Sequence, residues 1–173
     1  MHSKEDLIKY PRNLDLDVKL ISKLEGTIFI YAPEASNLYS GNIASKNYSF
    51  GTIATEMEGK YRKGHFNGVG TIVKKLFEIL QPTNAYFGEK DFQQLAIIKK
   101  LVDIENTPVN IIPCAIVREA DGLAMSSRNI HLIDHEREVA PFIYQTLKMA
   151  KDSNITKSKP SYLSSDWYNI DTQ

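Results

Sequence analysis

Residues 85–102, AYFGEKDFQQLAIIKKLV, decide the fold. A short apolar run (Ala85, Tyr86, Phe87) breaks at Gly88 and gives way to Glu89, Lys90 and Asp91. Phe92, Leu95, Ile98 and Val102 then recur at three- and four-residue spacings, which predicts a helix with one apolar face. A strand that passes through a glycine into a helix N-terminus makes an anion-binding turn. Its free backbone N–H groups and the positive end of the helix dipole point at whatever sits above it. Lys90 adds a mobile charge suited to phosphate. Most lysines are simply solvated, but the position of this one on such a turn favours binding.

Upstream of this stretch, Gln81-Pro82-Thr83-Asn84 is a turn feeding the strand. Thr71–Leu80 reads as a helix with Val69, Val73, Leu76, Phe77 and Leu80 on one side. Before it, GHFNGVG (residues 64–70) packs three glycines around His65 and Phe66. Phe50–Lys63 suggests a short strand and a helical turn near Ala54–Met57. Ser36–Ser49, rich in Ser, Asn, Gly and Tyr, suits a surface loop or an edge strand. Thr27–Tyr31 (TIFIY) reads as a buried strand. Leu14–Leu24 reads as a helix capped by Asn13 and ended by Gly26, and Pro11 keeps Tyr10 out of helical conformation.

Downstream, Val109–Val117 (VNIIPCAIV) reads as a second buried strand interrupted by Pro113. Arg118–Asn129 is a loop with a glycine turn, and a last helix is expected from Asp134 to Lys151 with Val139, Ile143, Leu147 and Ala150 inward. Residues 153–173 are polar, serine-rich and without period, which predicts weak order. Strands separated by helices imply βαβ units, a parallel sheet and an α/β fold. Ligands of such sheets sit at the carboxyl ends of the strands, where Gly88 and Val117 both fall.

The 173 residues suffice for one domain with a core, or one domain and part of another. Twenty-one basic residues balance twenty-one acidic ones, which argues against a nucleic-acid partner. No apolar run reaches the ~18 residues of a membrane span. The first residues lack the apolar centre of a signal peptide. A single cysteine, Cys114, permits no internal disulfide and is expected in the core. These features together imply a soluble, cytoplasmic protein.

Three further groups carry possible chemistry. Asp91-x-x-Gln94 matches a capping box, so Gln94 either reaches back to the helix terminus or contacts a substrate, and its side chain cannot do both. Ser126, Ser127 and Arg128 offer two hydroxyls and a guanidinium fork, suited to phosphate oxygens, though a helix-capping serine explains part of the pattern. His65 lies near Arg62, where an isolated histidine is more often packed than catalytic. His2, His131 and His135 show no metal-ligand spacing, and residues 64–70 lack the Gly-Lys-Ser/Thr ending of a P-loop.

These clusters, in this order, resemble the pantothenate synthetase (pantoate–β-alanine ligase) family. The resemblance runs through KYPRNLDLDVKL from Lys9, MEGKYRKGHFNGVGTIVKKLFEI from Met57, QPTNAYFGEKDFQQLAIIKKLV from Gln81 and IVREADGLAMSSRN from Ile116. It implies a Rossmann-like nucleotidyltransferase-type domain over residues 1–125, the start of a small C-terminal domain over 126–152, and a tail over 153–173. It also implies a homodimer. The family uses ATP and Mg²⁺ to activate pantoate as pantoyl adenylate, releasing diphosphate, after which the amine of β-alanine displaces AMP. By resemblance Gly88, Glu89, Lys90 and Asp91 hold ATP, with Lys90 on the phosphates. Val117 and Met125 offer backbone groups to adenine, while Ser126, Ser127 and Arg128 bind the triphosphate. Gln94 contacts pantoate, and Glu58, Arg62 and His65 stand behind these groups.

The family's first strand and its His-x-Gly-His signature have no counterpart in the 173 residues, so no catalytic histidine is assigned, and Lys90 and Arg128 are the supporting cations. The chain reads as the middle and later part of the enzyme. An exposed sheet flank then predicts poor solubility or self-association. The alternative is a non-catalytic remnant that binds nucleotide weakly or only associates with a partner chain. Lys63 for the family's Pro and Met57 for its Leu are minor departures.

Overall fold

A computed structural model describes residues 13–34, 38 and 45–153. Contacts divide the chain into two units, one within residues 2–44 and the other comprising Met1 and residues 45–173. The expectations for Pro11, for most of residues 36–44 and for the tail after Ser153 lie outside the described residues.

In the first unit, helix α1 spans Leu14–Ile21 and begins where expected. The Asn13 side chain accepts a hydrogen bond from the Leu16 N–H. The helix stops at Ile21, several residues before Gly26. Thr27–Tyr31 forms no strand, and Ile28, Phe29, Ile30 and Tyr31 are exposed rather than buried. The segment has the composition of a strand, but no neighbouring strand among the described residues satisfies its backbone groups, and a strand exists only as one member of a ladder.

The second unit is built on one parallel βαβ crossover, as expected. Strand β1 (Asn84–Gly88) pairs in parallel with strand β2 (Asn110–Cys114), and helix α4 (Phe92–Glu105) connects them. Pro113 does not interrupt β2 but sits inside it, opposite Phe87. The strand is half-covered rather than buried, and Cys114 is accordingly only partly buried.

Before the crossover come a single helical turn α2 (Glu58–Tyr61) and the 16-residue helix α3 (His65–Leu80). α3 starts six residues earlier than the apolar periodicity indicates, with Gly64 at φ +75 just ahead of it. Residues 50–54 do not make a strand; Gly51–Ala54 is a 3-10 turn.

The core lies on both sides of α4. On one side Ala96, Ile97 and Leu101 pack with Phe50, Ile53 and Phe66; on the other Ile98 packs with Phe77 and Val109, beneath Ala85, Phe87 and Ile111 of the sheet. The sequence implies a single apolar stripe including Phe92, yet Phe92 is 37% exposed and the helix is covered on two faces. The second covering layer is the segment around residues 50–66, whose irregular path carries no periodicity to read.

The last helix divides in two. α5 (Asp134–Val139) ends at Ala140, and α6 (Pro141–Asp152) restarts with proline at its first position. Pro141 has no N–H to continue the ladder and its ring clashes with the preceding turn, while the first position of a new helix tolerates both. Val139, Ile143 and Leu147 are exposed, not inward.

Candidate functional site at the carboxyl ends of two parallel strands

The register pairs Gly88 with Cys114, so both strands finish at the same edge of the sheet. The segments leaving the two strands therefore emerge side by side, about 4.8 Å apart at the ladder.

After β1, Gly88 is extended (φ −70, ψ 134), and a Cβ placed on it would meet nothing within 4 Å. Its glycine is not required by the backbone; it leaves open space above the bend. Glu89–Asp91 form a 3-10 turn, and all four residues from Gly88 to Asp91 are exposed. Asp91 is the N-cap of α4, but its side chain accepts no hydrogen bond from the helix, so the predicted capping box does not form. The preceding 3-10 turn leaves Asp91 at φ −94, ψ 59, away from the extended geometry that lets a cap reach the second or third amide. The amides of the first turn are not covered by this carboxylate, and the Gln94 side chain is half-buried beside them.

After β2 the chain runs through Val117 into a tight loop. Arg118 bridges Ala124, the Glu119 N–H donates to the Leu123 carbonyl at 2.8 Å, and Gly122 sits at φ +93. The Met125 N–H donates to the Val117 carbonyl at 3.0 Å. These two backbones, both assigned to adenine by resemblance, thus bond one another, with the Val117 N–H and the Met125 carbonyl outside that bond. Ser126 Oγ accepts from the Arg128 N–H at 3.3 Å and caps the 3-10 turn Ser127–His131, which is the capping role the sequence leaves open. Ser127 and Arg128 are exposed.

This loop is held from behind. The Arg118 guanidinium lies 3.6 Å from the centre of the Tyr144 ring on α6 and donates to the Gly122 carbonyl at 3.1 Å. Arg137 of α5 meets Asp121 at 2.6 Å. The Leu123 N–H and then Arg137 hold the Asp121 carboxyl below its ordinary range. A Cβ on Gly122 would approach Tyr144 to 2.9 Å, so glycine is needed there for contact as well as for φ.

Glu58, Arg62 and His65 do come together. Arg62 is ion-paired with Glu58 one turn away, and His65 Nε2 lies 3.7 Å from the same carboxylate. The residue that connects this trio to α4 is one the sequence reading misses. Gln93 is the single polar side chain in the core among the described residues, 6% exposed. Its Nε2 donates to the Ile53 carbonyl at 2.7 Å and the Glu56 carbonyl at 2.9 Å, and its Oε1 accepts from the Glu58 N–H at 3.1 Å. Its position three, four and eight residues before Ala96, Ile97 and Leu101 is the available signal, since that spacing places it on an inward face.

Away from the sheet edge, a cleft of ≈ 640 Å³ opens between Phe50, Ala54, Lys60, Lys63 and Phe66, and none of the predicted site residues lines it. Among the described residues no three His, Cys, Asp or Glu side chains gather as a metal cage, and no helix is long and apolar enough to cross a membrane.

Comparison with known proteins gives the same outline. The sequence profile described as pantoate-beta-alanine ligase matches residues 1–170. A pantothenate synthetase of Flavobacterium psychrophilum is 55% identical over 157 residues, covering 91% of this chain and 56% of the relative. One from Aquifex aeolicus is 48% identical over 147 residues, covering 85% of this chain and 51% of the relative. The chain spans about half the length of the curated relatives it matches. Among solved structures, the Thermus thermophilus pantothenate synthetase superposes with TM-score 0.82 at 38% identity, over 90% of this chain and 56% of that one. The Francisella tularensis ligase, complexed with beta-gamma ATP and beta-alanine, gives TM-score 0.75 at 34% identity over 92% and 64%. The profile match over nearly the whole chain, with relatives about half identical to it, places this chain in the pantoate-beta-alanine ligase family, with the nucleotidyltransferase-type α/β fold of its solved members.

Proposed function

We propose that this chain carries ATP- and pantoate-binding parts of a pantoate–β-alanine ligase. The observation that carries the reading is the pairing of Gly88 with Cys114, which starts the Gly88–Asp91 bend and the loop to Ser126–Arg128 from adjacent strand ends. Lys90 and Arg128 bring the positive charge, the Ser126 and Ser127 hydroxyls and first-turn amides of α4 that the Asp91 side chain does not cap bring neutral donors, and triphosphate oxygens match all three. Gly88 and Asp91 take the ribose side, and the Val117 N–H and Met125 carbonyl face adenine. Gln94, not consumed by a capping box, contacts pantoate.

In the proposed reaction a pantoate carboxylate oxygen bonds to the α-phosphorus and the bond to diphosphate breaks. The β-alanine amine then attacks the acyl carbon, the acyl–oxygen bond to AMP breaks, and the amine loses a proton. The residues here position the reactants and balance developing phosphate charge, which is most of what such a transfer asks of a protein. Magnesium would bind through the phosphates, where it would neutralise their charge, and Glu89, the exposed carboxylate at the bend not assigned to the ribose, would help to hold it. A homodimer in the cytoplasm is the setting proposed.

Calorimetric titration with ATP tests this. The expected result is saturable heat that Lys90→Ala reduces by roughly tenfold in affinity, the scale of one lost charge-assisted contact. Absence of heat from the unsubstituted chain overturns the reading. Heat without AMP release on adding pantoate and β-alanine assigns the alternative, nucleotide binding without turnover.

A further inference from the structure

We infer that Gln93 is a positioning residue: its carboxamide fixes the Glu58–Arg62–His65 cluster against the first turn of α4, beside Gln94. It rests on the reading that Gln94 contacts pantoate.

Three observations carry it. The Gln93 amide uses both of its N–H donors and its oxygen on the backbone of a single segment, Ile53, Glu56 and Glu58. That segment is strained, because Met57, between two of the bonded groups, adopts φ +47, ψ −120, a conformation that side-chain-bearing residues avoid. The Met57 side chain is 56% exposed and cannot supply the restraint. The segment is also closed on itself, since a Cβ on Gly59 would stand 2.1 Å from the Ala54 carbonyl oxygen. A buried carboxamide that holds a strained turn from the neighbouring position to a proposed ligand contact does more than fill space. An apolar side chain of equal size fills the same volume but withdraws these partners from the Ile53 carbonyl and the Glu58 N–H, leaving the Glu56 carbonyl only its bond from the Gly59 N–H.

From this turn the effect passes to charge. Glu58 starts α2, and its carboxylate is shared by Arg62 and His65. Shifting the Glu58 backbone therefore moves one anion and two cationic or titratable groups together. Gln93 touches none of the reactants itself.

The test uses this chain with Gln93→Met, Gln93→Glu and, as a packing control in the same core cluster, Ile97→Val. Two quantities are read: protection of the Glu58 amide from hydrogen exchange, and affinity for pantoate in the presence of ATP. Gln93→Met is expected to lower Glu58 protection and pantoate affinity by roughly tenfold each while leaving ATP affinity within about twofold, and Ile97→Val to move neither selectively. Gln93→Glu is expected to recover Glu58 protection as pH falls, since only the neutral acid can both donate to a carbonyl and accept from the N–H, and burial raises its pKa. Unchanged Glu58 protection in Gln93→Met, or pH-independent protection in Gln93→Glu, overturns the inference. Should the unsubstituted chain bind no pantoate, the proposed function fails, and the Glu58 exchange data alone decide the positioning role.

Discussion

Thr27–Tyr31 and Asn110–Cys114 are both short, apolar and rich in isoleucine, and only the second is a strand. Asn110–Cys114 lies beside Asn84–Gly88 residue for residue, over a core of Ile98, Phe77 and Val109. Thr27–Tyr31 has no ladder among the described residues, and Phe29 is 89% exposed. A third segment, residues 45–50, shows an intermediate solution. It forms no strand either, but its N–H groups reach side chains of α3, Lys46 to Thr71 at 2.9 Å and Tyr48 to Asn67 at 3.1 Å, and Phe50 is buried at its end. Composition makes a segment suited to a sheet; a partner for its backbone makes it part of one.

The widest contrast is expected in stability. Ile98→Ala, under the paired strands and fully buried, should cost about 2–5 kcal/mol in urea unfolding. Phe29→Ala should change the same measurement by no more than about 0.5 kcal/mol. A comparable loss at Phe29 would mean that Thr27–Tyr31 is packed in solution and would remove the contrast.

Association is the next lever. Four consecutive exposed apolar residues with no strand partner among the described residues favour edge-to-edge pairing, and charge at such a place opposes it. Light scattering of Phe29→Lys should therefore show less self-association than the unsubstituted chain, whereas Tyr86→Lys, on the already paired β1, should change it less. Equal effects would show that the sheet edge, not Thr27–Tyr31, drives assembly.

A smaller effect sharpens the intermediate case. Lys46 and Lys74 both contact Glu105, at 2.5 Å and 2.6 Å, and the Glu105 side chain is 11% exposed. Hydrogen bonds from these lysines hold the Glu105 carboxyl below its ordinary range, and Glu105 in turn raises Lys74. The folded state thus favours the ionised carboxylate. Its contribution is present at neutral pH and is lost as pH falls through the depressed folded value; the Lys74 contribution is lost only on the alkaline side. Glu105→Gln should cost about 1 kcal/mol at neutral pH, a difference that narrows in acid when unfolding is followed across pH. A gap independent of pH would assign the cost to packing.

Much of the candidate site is visible in the amino acids alone. The strand–bend–helix at Ala85–Val102 is readable because glycine, charge and a 3.6 period come in order, and the Ser126–Arg128 cluster because donors are chemically distinctive. The role of Gln93 is obscured by its neighbour, since one of two adjacent glutamines is buried in the core and the other only half-buried, and only the packing of residues 53–58 distinguishes them. The expected cap at Asp91 fails for a similar reason, a 3-10 turn that no residue type announces. The helix expected from Asp134 to Lys151 is wrong in continuity because apolar spacing outweighs Pro141 in a periodicity argument.

By itself the sequence determined the order of α3, β1, α4 and β2, the crossover they form, the chemical inventory at two turns and the family. These are local, depending on residues within a turn or two of each other. Only the tertiary structure decided which apolar segment found a strand partner, that α4 was covered on two faces, and which glutamine became the clamp. Those depend on groups far along the chain, 26 residues between the paired strands and 35 to 40 between Gln93 and the segment from Ile53 to Glu58, and no local pattern encodes a distant hydrogen-bond partner.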